Sequence, residues 1–433
     1  MDSLWRSDVR LPKFAPLAQD IKTDVLIIGG GMTGLLCARL LTDQGVDCVV
    51  VEADRICSGV TQNTTAKITA QHGLLYHKLV KKLGSHRAGL HLSANQSALD
   101  RYRTLCRDTD CDFEEKDNFI YSRTDASVLE EELSALESLH APADLVSTLP
   151  LPFPTAGAVR FREQGQFHPL KFVNSICRGL TIFENTRVAS LDHGTALTAH
   201  GKIKADKTIV ATHFPFLNTH GSYFLKMYQH RSYVLALKGA ETVNGMYMDE
   251  NGKGLSFRSA DGLLLLGGGG HRTGKSGGSY RELTEFKNAH YPQAEIITQW
   301  ATQDCITLDG MPYIGQYSAR TPGLYVATGF NKWGMTSSMV AAELLRDLIL
   351  GKENPYAELF SPSRNMVCRQ LFANAASAAF NLLTPTVPRC PHLGCALKYN
   401  RAEHTWDCPC HGSRFSKDGK LLDGPATGDK KDM

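Results

Sequence analysis

Nowhere does the chain carry the run of about 18 consecutive apolar residues that a membrane-spanning helix requires. It also lacks a dense Lys/Arg stripe. Its 47 basic residues stand against 44 acidic ones over 433 positions, and that near balance removes the electrostatic footprint of nucleic-acid or anionic-membrane binding. There is no internal repeat and no low-complexity tract. The opening MDSLWRSDVRLPKFAPLAQD has neither a basic start followed by an apolar stretch nor a twin-Arg pair, so a cytoplasmic location is expected. With 42% hydrophobic residues and a net charge of only +3 the chain is not disordered, and its length allows two or three domains with real cores. A small-molecule enzyme is the default expectation.

Residues 24–29 read as a short buried strand, 33–44 as a helix and 47–52 as a second strand, a strand–helix–strand unit. Helices are expected over 85–107 and 126–140, the second with Glu130 to Glu132 on a solvated face. Strands dominate from about 157 to 270, including 207–212, 228–237 and a hairpin over 254–266 turned at Asp261-Gly262. Strand 324–328 then leads through a Gly-containing loop into a helix over 336–350, closed by Gly351 with Pro355 just beyond.

Gly29-Gly30-Gly31-Met32-Thr33-Gly34 satisfies G-x-G-x-x-G and sits between the first strand and its helix. Glycines there permit the tight turn and the close approach of a pyrophosphate to helix N-terminal amides. Glu52 ends the second strand 18 residues past Gly34, where a carboxylate can accept hydrogen bonds from ribose hydroxyls. A dinucleotide site is expected.

The segment from Asp309-Gly310-Met311-Pro312, through the strand ending at Thr328-Gly329, to Gly334-Met335-Thr336 resembles the closing segment of the D-amino-acid-oxidase superfamily of FAD enzymes. The resemblance implies FAD, with the N-terminus of the last helix beside the flavin, where a positive helix end stabilises charge gathered on reduction. Ser58 to Asn63 resembles the loop beside FAD in these relatives, with Arg missing and a two-residue insertion. The strand ending at Ala211-Thr212 resembles the one that stops by the adenine, with His213 where a small residue is usual. Arg231-Ser232-Tyr233 resembles the turn at the edge of the substrate domain. Among polar candidates for the reacting face are His72, His213, His230, Arg231, His271, Arg272, Lys332 and Trp333, of which Arg231, His271 and Lys332 are carried as catalytic candidates. No catalytic signature is needed, because hydride transfer from a C–N bond to flavin rests on orientation and a dry pocket.

Of the 12 cysteines, four fall within 21 residues near the C-terminal end. Cys390-Pro-His392-Leu-Gly394-Cys395 is followed after twelve residues by Cys408-Pro-Cys410-His411-Gly412-Ser413. Each half mixes Cys with His, as a Rieske [2Fe–2S] centre requires of its two facing loops, whereas finger-like zinc sites pair like with like. A tetrahedral zinc site remains the alternative. The Rieske resemblance assigns Cys390, Cys408, His392 and His411 as ligands, implies a disulfide between Cys395 and Cys410, and gives Ser413 a hydrogen bond to the cluster. Phe415 stands where high-potential relatives carry Tyr, which implies a lower potential. About 45 residues form an abbreviated domain that must lean on the rest of the chain.

The expected architecture is an α/β FAD-binding, Rossmann-like domain interleaved with an α+β substrate domain over residues 20–360, a linker over 361–388 and a small all-β Rieske domain over 389–433. The whole resembles bacterial FAD-dependent oxidoreductases with a C-terminal Rieske domain. That implies oxidation of a small organic substrate, an amine or amino acid, with electrons passed singly from FAD to the cluster and on to an external acceptor. The rival readings are a redox sensor and an NAD(P)H-fed reductase. The latter predicts a second nucleotide fingerprint, and residues 263–274 (LLLLGGGGHRTG) do not supply one.

Overall fold

The computed structural model describes residues 3–251, 254–275, 277, 279–364 and 388–430. The Ala-rich stretch and most of the expected linker fall within 365–387 and lie outside the described residues. Strand Ile21–Ile28, helix Met32–Thr42 and strand Cys48–Val51 form the expected unit. The four residues of the second strand are all buried, because parallel strands covered on both faces need continuous apolar runs. Ile21–Ile28 pairs in parallel with Cys48–Val51 on one side and with Gly201–Val210 on the other; Thr181–Phe183 and Leu324–Thr328 extend the parallel sheet outward. The break in strand order beside Ile21–Ile28 makes the C-terminal strand ends a natural ligand crevice.

A nine-stranded sheet forms the second layer, with the long strands Met227–Lys238, Leu263–Arg272 and Glu295–Thr307 side by side. The expected hairpin is present as Ser256–Ala260 and Leu263–Arg272. Its two turn residues, Asp261 at φ 50° and Gly262 at φ 72°, take the left-handed values that a two-residue connection needs. The glycine run inside Leu263–Arg272 serves packing: a side chain on Gly268 would meet Leu255 and Leu283, and one on Gly269 would meet the backbone of Ser279. A four-stranded sheet, Lys398–Asn400 through Leu421–Asp423, forms the C-terminal domain.

The helix expected over 85–107 is present and ends at Cys106, with a shorter helical stretch from Tyr76 joined to it across a break at Gly84. One expectation is corrected. Glu132 does not sit on a solvated face. Its buried carboxylate accepts hydrogen bonds from the N–H groups of Leu75, Tyr76 and His77 and from the His77 ring, so it caps that helix from a distance no local pattern reveals. No helix among the described residues is long and apolar enough to cross a membrane.

Candidate functional site

The C-terminal ends of the parallel strands open into a cavity of about 780 Å³. Gly29 lines it, and Gly34 does not, being packed behind against the Gly29 backbone. At Gly29 the backbone has φ 113° and a Cβ would stand 2.5 Å from the Ala211 carbonyl oxygen, while a Cβ on Gly34 would reach within 1.9 Å of the Gly29 oxygen. Gly31 differs: a Cβ there meets only Thr61 Oγ1, at 3.4 Å, and Gly31 lines the open space. Two helices point their N-termini at the cavity, Met32–Thr42 and Gly334–Ile349, and the Thr33 and Ser338 hydroxyls bond across them at 2.8 Å. Partial positive charge converges there from both.

Glu52 lines the cavity. Its carboxylate accepts from Gly30 N at 2.7 Å and Asp54 N at 3.0 Å, so it braces the glycine turn as well as facing the space. Burial pushes that carboxyl above its usual range, and those backbone donors oppose the shift. Ser58, Asn63, Ala211, Thr212, Gly329, Gly334 and Met335 also line the cavity. Gly310 and Thr336 do not. Thr336 stands behind the wall, where its hydroxyl bonds Thr69 N at 3.0 Å and Thr69 O at 2.9 Å.

Near the C-terminal end two short loops face each other with the same internal bonds. Cys390 N donates to Cys395 O at 2.8 Å and Gly394 N to Cys390 O at 2.9 Å; Cys408 N donates to Ser413 O at 2.8 Å and Gly412 N to Cys408 O at 2.9 Å. Gly394 at φ 76° and Gly412 at φ 83° make both turns possible. The His392 and His411 rings lie 5.0 Å apart, and the Nδ1 atom of each is buried without a partner. Burial lowers both imidazoles to about 4, helped by His411 at the first and Arg272 at the second, so both are neutral at physiological pH with a lone pair free. The Cys390 thiol donates to Cys408, which pushes Cys390 up and Cys408 down, and Ser413 reaches the Cys390 sulfur. Two orphaned imidazole nitrogens beside two buried sulfurs are the donor set a mixed Cys/His iron–sulfur site needs, so the residues fit that group. The sulfurs of Cys395, Cys408 and Cys410 lie within 4.8 Å of one another, with Cys395 and Cys410 unbonded. Phe415 is fully buried among these cysteines.

The two sites share a wall. Gln229, on strand Met227–Lys238, lines the cavity and its Nε2 donates to His411 O at 3.0 Å and Gly424 O at 3.1 Å. Gln303 Nε2 donates to Gly412 O at 2.9 Å. Glycines on opposite sides allow the approach, since a Cβ on Gly412 would stand 2.6 Å from Gln229 Cβ and one on Gly274 2.5 Å from Pro409 N. Residues 420–429 complete the cavity from the C-terminal domain.

None of the three catalytic candidates, Arg231, His271 and Lys332, lines the cavity. The Arg231 guanidinium forms a two-pronged ion pair with Glu403 of the C-terminal domain, and His271 bonds the Tyr233 hydroxyl at 3.0 Å beside it. Arg231 and His271 belong to the interface between domains. Glu403 also pairs with Arg414 at 2.9 Å, but Arg414 keeps Asp407 and Asp423, so Glu403→Gln leaves the buried Arg231 guanidinium without its ion-pair partner. The loss is expected to be about 3–5 kcal/mol, seen in urea as earlier loss of C-terminal domain structure while the main body stays folded; a single unchanged transition would refute the clamp. Lys332 lies half-buried near Asp304, which does line the cavity; desolvation lowers the Lys332 ammonium and raises the Asp304 carboxyl, and each opposes the shift in the other. His72 stacks on Trp333 and bonds Thr69 O at 2.9 Å, bracing the same wall. Sequence reasoning missed Gln229, Gln303, Asp304 and residues 420–429, because no spacing pattern marks them.

Residues 24–348 match the family described as FAD dependent oxidoreductase, and residues 383–431 match the Rieske [2Fe-2S] domain. A Bacillus subtilis protein described as putative Rieske 2Fe-2S iron-sulfur protein YhfW is 34% identical, with 98% of this chain and 96% of that one covered. Among solved structures, glycine oxidase from Geobacillus kaustophilus superposes with TM-score 0.65 at 19% identity over 80% of this chain and all of its own. L-proline dehydrogenase from P. horikoshii gives 0.67 at 18% identity, over 81% of this chain and 98% of its own.

Proposed function

The chain belongs to the FAD dependent oxidoreductase family and carries a Rieske [2Fe–2S] domain, and from that premise we propose that it oxidises a small amine or amino acid and passes the electrons through its own cluster to an external acceptor. The observation that carries this reading is the shared wall: the side chain of Gln229 faces the FAD cavity and holds the backbone of the cluster ligand His411. The amine or amino acid class is supported by the fold neighbours, which bear the names glycine oxidase and L-proline dehydrogenase.

When bound, FAD accepts an electron pair from an organic substrate and the [2Fe–2S] cluster carries electrons singly. The chain's residues do the holding. Gly29, Gly31 and the N–H groups at the start of helix Met32–Thr42 would seat the pyrophosphate, and Glu52 would accept from ribose hydroxyls. Ser58, Asn63, Ala211, Thr212 and Gly329 would flank the cofactor, with Gly334 and Met335 presenting a positive helix end and Thr336 supporting them from behind. Cys390, His392, Cys408 and His411 would ligate the cluster, and the Ser413 hydroxyl would bond within it. Cys395 and Cys410 would pair as a disulfide that pins the two loops. At the cavity wall the half-buried Asp304 carboxylate faces the space, with the Lys332 ammonium near enough to oppose the shift that desolvation imposes on it. Gln229 and Gln303 fix the distance between the sites by holding the backbone of His411 and Gly412.

Anaerobic rapid mixing of the full chain with a panel of amino acids and amines tests this. Flavin bleaching should be followed by cluster reduction at a rate independent of protein concentration. Gly274→Ala, which pushes Pro409 away from the sheet, should slow the second phase and spare the first. A second phase that scales with protein concentration, or that never follows bleaching, overturns the relay.

A further inference from the structure

The FAD cavity takes its walls from both domains. The main body supplies the strand ends and the two helix N-termini, and the C-terminal domain supplies residues 420–429. That second wall is a loop closed on itself. Ser416 N donates to Lys420 O at 2.8 Å, Lys430 N to Gly419 O at 2.8 Å, and Leu421 N to the Asp429 carboxylate at 2.8 Å. Two more bonds fix the loop in place. Gln229 Nε2 reaches Gly424 O at 3.1 Å from the main body, and Ala426 N donates to the Ser413 hydroxyl at 3.0 Å within the C-terminal domain.

Strand Leu421–Asp423 decides which side chain meets the cavity, because successive residues of a strand point to opposite faces. Leu421 packs against the core of its own domain, around Phe415. Leu422 takes the other face and lines the cavity. At 49% it is the most exposed large apolar side chain among the described residues, and the others that are comparably exposed lie away from the cavity.

Given the assignment of the cavity to FAD, on which this rests, we propose that the C-terminal domain supplies part of the FAD site, with Leu422 packing on the cofactor, and that FAD leaves only when this domain lifts from the main body. A planar ring system laid against Leu422 exchanges water for apolar contact on both surfaces. The domain is held by the Arg231–Glu403 pair and by the Gln229 and Gln303 bonds, so the contacts that dock the cluster also close the cofactor in. FAD binding and docking are then linked, and each favours the other by the same factor. The chain keeps its flavin whenever the cluster is in place to accept from it.

The test uses the full chain with both cofactors. FAD release is followed as the rise in flavin fluorescence after dilution, and docking as loss of C-terminal domain structure in urea. Leu422→Ser, at an exposed position, should leave the fold intact and speed release about fivefold, the factor for losing roughly half the burial of one leucine. Glu403→Gln, which weakens docking, should speed release on the order of a hundredfold while the far-UV circular dichroism of the main body stays unchanged. In the other direction, a Gly31→Leu chain, whose side chain fills the path of the pyrophosphate, should lose its C-terminal domain at lower urea than the native chain with FAD. A native release rate in either of the first two variants, or equal urea midpoints with and without FAD, overturns the proposal. A Gly31→Leu chain that keeps its FAD overturns the cavity assignment itself, and the proposal with it.

Discussion

His411→Ala should strip the chain of its [2Fe–2S] cluster while leaving FAD bound. The ring that is lost supplies a buried, neutral imidazole whose Nδ1 has no partner among the described residues. A cluster held by two thiolates and two imidazoles has no ligand to spare. The docking of the domain should survive, because Gln229 bonds the main-chain oxygen of residue 411, which alanine keeps. Iron and acid-labile sulfide should fall from a full complement to near none, with FAD content unchanged. Cys408→Ser should do the same from the sulfur side. Iron and sulfide retained in either variant would overturn the ligand set, and zinc without sulfide in the native chain would overturn the cluster itself.

What was legible in the sequence was local. The glycine fingerprint, Glu52 and the paired Cys/His loops each lie within a few dozen residues, and physical chemistry fixes their spacing. The hairpin at Asp261-Gly262 was legible for the same reason. The roles of Arg231 and His271 were not, since a basic residue on a substrate-domain strand reads alike whether it faces a small molecule or a carboxylate 172 positions away. Glu132 was misread because its helix cap is formed across 55–57 residues, where an acidic run gives no hint of which member turns inward. The glycine-rich stretch 267–270 failed as a fingerprint because its neighbours are packing partners. Only contact between chain segments distinguishes Gly274 against Pro409 from an ordinary loop glycine.

That distinction between kinds of glycine gives the other large effect. Gly31→Leu should abolish FAD binding in a chain that still folds, whereas Gly34→Val should compromise folding itself. Gly31 has an extended backbone, φ −81° and ψ −176°, which any residue adopts, and its added Cβ would meet nothing closer than Thr61 Oγ1 at 3.4 Å. The remaining side-chain atoms have only the cavity to enter, in the path by which a pyrophosphate reaches the N–H groups of helix Met32–Thr42. At Gly34 the Cβ would fall 1.9 Å from the Gly29 oxygen, a backbone atom that cannot move without opening the strand–helix turn. Gly31→Leu should therefore be purified with its cluster signal intact, flavin content near zero and a thermal transition close to that of the native chain stripped of FAD. Gly34→Val should give little soluble protein of any kind. A Gly31→Leu protein that keeps full FAD would mean that the pyrophosphate does not pass this residue and that the cavity is misassigned.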